Sequence, residues 1–183
     1  MTETIIGVLG LIVALIGLPF AYREWKTKEL RKDEVLAWSN ECIDVLQRTK
    51  LAIADAAGGR PAHDFTAVMA ELRARSSTQV ERGRLFFRNV GIAHGSEKAS
   101  AYQGYRVAIL DCLVATSQVC SRALQAGESD LQALTHISDT YAKRFVSLAQ
   151  SEIGRSRRSN SPAEDAGSSI DIDAEILEFR TAT

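Results

Sequence analysis

The hydrophobic and polar positions of this chain change rhythm several times, and each change marks an element. Residues 5–22, IIGVLGLIVALIGLPFAY, contain no charge. At about 1.5 Å per helical residue they reach ~27 Å, close to the roughly 30 Å hydrocarbon thickness of a bilayer, so the pattern predicts a membrane-spanning helix. From Arg23 to Ala57 the chain has no Pro or Gly, and Val35, Trp38, Cys42, Val45, Thr49 and Ala52 follow a heptad. Leu36, Ile43, Leu46 and Ile53 widen that apolar face, which suits bundle packing better than a two-stranded coil. The helix is expected to run on from the membrane and to stop at Gly58, Gly59, Arg60 and Pro61.

A second helix is expected from His63 or Asp64 to about Arg82, with Phe65, Val68, Met69 and Leu72 on one face. The period then fails between Gly83 and Gly104, where four Gly and the pair Phe86 and Phe87 stand in a stretch with no sustained pattern. Long irregular segments inside compact domains tend to carry function or lack order, and the aromatics, with Tyr102 and Tyr105, favour a packed loop. A third helix over 105–124 places Ile109, Cys112, Leu113, Thr116, Val119 and Leu124 on one side. A turn at Ala126, Gly127 and Glu128 leads to a fourth, capped by Ser129 or Asp130 and reaching about Ile153, with Leu131, Leu134, Ile137, Tyr141, Phe145 and Leu148 inward.

The expected fold class is therefore all-α: a short extracytoplasmic N-terminus (1–4), a single N-terminal transmembrane helix (5–22), and a cytoplasmic antiparallel four-helix bundle (23–154) with the irregular loop 83–104. Residues 155–183 are expected to form a disordered C-terminal tail. Within it, segment 170–180 presents Ile170, Ile172, Ile176, Leu177 and Phe179 among acids, a set that would fold on a protein partner as a strand or short helix, or dock on its own domain.

Charge sets the orientation. Met1 to Thr4 lacks the positive n-region of a secretory signal, whereas Arg23, Lys26, Lys28, Arg31 and Lys32 follow the apolar stretch. The positive-inside rule then puts the N-terminus out and the C-terminal side in the cytoplasm of an inner membrane. Within the span, Gly7, Gly10, Ala14, Gly17 and Ala21 recur at steps of three and four, the small-residue stripe that lets two helices associate closely. The formal net charge of −1 argues against a general nucleic-acid partner. The three Cys are too few and too scattered for a disulfide framework.

Candidate chemistry concentrates in the loop. Between Glu71 and Arg106 seven cations stand against three acids. Arg82, Arg84, Arg88, Lys98 and Arg106, interleaved with aromatics on a glycine-bearing segment, are residue types that bind a phosphate group; the alternative is a solvated loop whose arginines pair with neighbouring carboxylates. His63, His94 and His136 have no metal-ligand spacing, and the chain holds no phosphate-cradling, zinc-protease or nucleophile-elbow motif. No cofactor, catalytic residue or small-molecule substrate is implied. The leading expectation is a non-enzymatic membrane-anchored interaction module with a protein partner or a second copy of itself. A membrane sensor or effector of a defence or toxin kind, binding a phosphorylated ligand through the loop, is the alternative, and a membrane-tethered enzyme the next.

Overall fold

The structure, a computed structural model, describes the backbone of residues 2–91, 95–154 and 171–182, and within these ranges the side chains of Lys26 and of Leu30 to Thr181. Among the described residues the chain is all-helical: α1 (Thr2–Ala57), α2 (Phe65–Gly83), a 3₁₀ turn (Ser100–Tyr102), α3 (Ala108–Ala123), α4 (Glu128–Glu152) and α5 (Ile172–Ala182).

The first four helices form a bundle in which each packs on its neighbours in sequence and α4 closes back onto α1. The short connections 58–64 and 124–127 make α1 with α2, and α3 with α4, antiparallel neighbours, and contacts show the same for the two pairs that no short connection joins. Trp38 meets Phe145 while Lys50 meets Asp139, so α1 and α4 run in opposite directions. Along α2 and α3, Gly83 faces Leu110 and Ser77 approaches Ser117. The heptad face of α1 is buried as its spacing predicts: Val35, Trp38, Cys42, Val45, Leu46, Thr49 and Ile53 are all interior. Asp64 caps α2, its Oδ1 accepting from the Ala67 amide at 3.0 Å.

α3 is more deeply placed than one apolar stripe would make it. Leu110, Asp111, Ala115, Cys120 and Ala123 are buried besides the expected Ile109, Cys112, Leu113, Thr116 and Val119. Its small residues let neighbours approach, and α2, α4 and α5 all contact it. Leu124 instead lies at the surface, 41% exposed, because it caps the helix rather than continuing its inner face.

The expectation of a disordered tail is corrected for its last part. Asp171 Oδ1 accepts from the amides of Asp173 and Ala174 at 3.1 and 3.2 Å, capping α5, and Ile172 and Ile176, one helical turn apart, are buried in the hydrophobic core. Residues 155–170, Ile170 among them, lie outside the described residues.

α1 is one helix of 56 residues, and Val35 is its first buried side chain among those described. Among the described residues no helix is long and apolar enough to cross a membrane. The side chains of 5–22, with the stripe Gly7, Gly10, Ala14, Gly17 and Ala21, lie outside the described ones.

Candidate functional site

The loop between α2 and α3 closes the end of the bundle from which α1 runs toward its N-terminus. Its anchor is Trp38. The indole donates through Nε1 to the Gln79 carbonyl at 3.1 Å and packs against the rings of Phe86, Phe87 and Phe145 at centroid separations of 6.1, 5.4 and 5.6 Å. Gly83 makes this possible, since a Cβ there would stand 2.8 Å from the indole and strike the Leu110 side chain. Further out, Val90 and Tyr105 exchange backbone hydrogen bonds of 2.8 and 2.6 Å. Gly104, at φ 82°, sits so close to that bridge that a Cβ would lie 2.6 Å from the Val90 carbonyl oxygen. The packed-loop expectation thus holds for Phe86 and Phe87, whereas Tyr102 and Tyr105 are 44% and 51% exposed.

Of the five cations expected to bind a ligand, three are taken up by separate carboxylates. Arg82 pairs with Glu41 of α1, whose carboxylate also accepts from Gln79 Nε2 at 2.9 Å. Those two hydrogen bonds, Gln79 first, hold the Glu41 carboxyl below the usual carboxylate range. Arg84 lies 3.4 Å from Glu81, donates to the Ala101 carbonyl at 3.3 Å and stacks over the Tyr102 ring at 4.5 Å. Tyr102 in turn donates to Glu81 at 2.7 Å, which raises the phenol's pKa. Arg106 donates to Asp111 at 3.0 Å; burial raises the Asp111 carboxyl despite that partner. Three of the five cations are therefore each engaged on a separate carboxylate, and of these pairs only Arg82–Glu41 joins two helices. Arg88 and Lys98 are exposed and make no ion pair among the described residues.

Around this loop, Leu30, Arg31, Glu34, Trp38, Leu85 and Phe86 line an open depression of about 800 Å³. Leu85 is 82% exposed and Leu30 55%, while Arg31 crosses to donate to the Phe86 carbonyl at 3.1 Å. Sequence reading passed over Leu85 because a single leucine in an aperiodic stretch carries no signal.

The docking set is split by the structure. Ile172 and Ile176 are buried against the chain's own bundle and Phe179 packs at its edge beside the His136 ring at 5.4 Å, while Leu177 points outward, 63% exposed. Tyr141 donates to Glu175, Arg122 reaches Asp173 at 3.0 Å, and Arg180 pairs with Asp130. Among the described residues no group of three His, Cys, Asp or Glu is gathered as metal ligands. The buried thiols are poor nucleophiles: desolvation pushes Cys112 up to about 12 and Cys120 to about 11, and Cys42 also rises. Comparison of the chain with protein-family models, curated proteins and solved structures finds no match.

Proposed function

We propose that this chain is a single-pass inner-membrane protein whose cytoplasmic helical bundle is a non-enzymatic interaction module. The observation that carries the reading is the continuity of α1. An uncharged stretch of 18 residues is followed, within one helix, by the side chains that build the bundle core. The apolar side chains of 5–22 favour insertion by on the order of 5 kcal/mol before Gly and Pro subtract, and the cations after Tyr22 favour a cytoplasmic bundle. Self-association through Gly7, Gly10, Ala14, Gly17 and Ala21 would supply one interaction, since close backbone approach is what drives helix pairing in lipid. The exposed flanks of the bundle would supply another, to a protein partner.

Alkaline carbonate extraction of membranes, with a reporter fused at the C-terminus, tests the reading. The full-length chain is expected to stay in the membrane pellet, with the reporter in its cytoplasmic state. Release of the intact chain into the supernatant, or a periplasmic reporter, overturns it. Changing Gly10 and Gly17 together to Ile is expected to weaken association in a membrane two-hybrid assay; unchanged association removes the stripe as the contact.

A further inference from the structure

Two exposed leucines, two cations without an ion pair among the described residues and the exit of α1 share one end of the bundle, and none of them is explained by folding. Leu30 and Leu85 border the same depression and leave most of their surface to solvent. Residues 84–107 hold four cations to one acid, of which Arg88 and Lys98 are spare. The α5 segment, residues 171–182, has the reverse ratio, four acids to one cation. It sits toward the other end, tied to Asp130 at the start of α4 and Arg122 near the end of α3. An anionic surface facing the α1 exit would therefore attract the loop and repel α5.

Position supplies the second argument. Leu30 lies eight residues beyond Tyr22, about 12 Å along a helix, and the headgroup layer beyond the hydrocarbon is roughly 5–8 Å thick. An Arg or Lys side chain spans most of the remaining gap while its stem stays on apolar surface. We infer that the loop end of the bundle, through Leu30, Leu85, Arg88 and Lys98, docks on the anionic surface of the bilayer that its own α1 enters. This rests on the membrane-anchored reading above. Apolar contact from the leucines and headgroup attraction from the cations are the two components of interfacial binding, and the second weakens with salt.

The test uses the full chain in nanodiscs of phosphatidylcholine alone or mixed with phosphatidylglycerol. An environment-sensitive fluorophore is attached at Leu85→Cys or, as control, at Leu124→Cys; both positions are exposed and the native thiols are buried. The expected result is a blue-shifted label at position 85 in phosphatidylglycerol discs, quenched several-fold more by spin-labelled lipid than the label at 124. Adding Arg88→Glu with Lys98→Glu, or raising the salt, should remove most of the difference. Equal, water-like signals at 85 and 124 overturn the inference. So does reproduction of the blue shift in phosphatidylcholine discs by inorganic phosphate, which would make the ligand a soluble anion. Carbonate extraction of the same chain separates the failures. A chain retained in the membrane with position 85 in water loses only the docking, and a chain released into the supernatant loses the anchor and the docking with it.

Discussion

At the end where α1 leaves the bundle, the segment after α2 is held by rings. Phe86 and Phe87 lie on Trp38, which is itself hydrogen-bonded to α2 and packed on Phe145 of α4. Toward the other end, α5 is held by Ile172 and Ile176 and a rim of polar pairs, joined to α4 through residues 155–170. Both segments cover the same core, yet their attachments differ in kind. The aromatic end joins three helices through one indole, and aromatic pairs add about 0.5–1.5 kcal/mol each beyond the area they bury. The α5 end depends on Ile172, Ile176 and the partly buried Phe179, on the Tyr141 hydrogen bond to Glu175, and on partly exposed ion pairs worth at most about 1 kcal/mol each. The bundle should therefore unfold as a unit when the first end is damaged, whereas α5 should come away alone.

Trp38→Ala gives the largest expected effect. A buried aromatic cut to Ala costs about 3–5 kcal/mol, and the loss should appear as a lower denaturation midpoint for the whole bundle. Cys42, Cys112 and Cys120, silent toward an aromatic disulfide reagent while buried, should then react together at the rate of global opening; a bundle melting as before would break the comparison. Ile176→Ala comes next, at roughly 2–4 kcal/mol lost from docking α5. Hydrogen exchange should show α5 unprotected and α2 to α4 unchanged, whereas lost protection across the bundle would make α5 part of the core unit.

Acid provides a probe between the two ends. Asp139, bonded by Lys143 and, at 2.6 Å, by Lys50, has its carboxyl brought down to about 2 from the usual aspartate value near 4. A depressed carboxylate adds stability that is present above its unfolded pKa and is lost as pH falls through the folded value. Bundle stability should therefore fall between about pH 4 and pH 2. In Asp139→Asn the acid limb should be flatter, and an unchanged limb would assign acid sensitivity elsewhere. The smallest effect is expected of Arg180→Ala, which removes the pair with Asp130. It should loosen α5 by less than about 1 kcal/mol, and less still in high salt. Limited proteolysis within 171–182 at low and high salt reads it.

The helices were legible because each carries a 3.6-residue apolar period and a recognisable stop. Asp64 as a cap, Gly58 and Gly59 as the first turn and the α1 heptad all stand where the spacing puts them. The burial of α3 on almost every side was not, since Ala115, Cys120 and Ala123 are too small to signal an inner face. The loop cations illustrate a second limit. Glu41, which holds Arg82, lies 41 residues away, and Asp111, which holds Arg106, falls just beyond the counted segment, so local charge counting missed the partners of two of its cations. For segment 170–180 the apolar set was legible, but the choice between a partner and the chain's own domain was not, since the one-turn spacing of Ile172 and Ile176 matters only once Asp171 starts a helix.

The unbroken course of α1 has a mechanical consequence. From Arg23 to Ala57 α1 holds no proline or glycine, so that stretch transmits rotation as faithfully as position, and the azimuth at its start dictates which flank of the bundle looks sideways. Each residue inserted between Lys26 and Leu30 would turn that flank by about 100° while lengthening the shaft by only about 1.5 Å. Four added residues would bring the heading back to within roughly 40° of its starting direction, a periodicity that a flexible tether would erase.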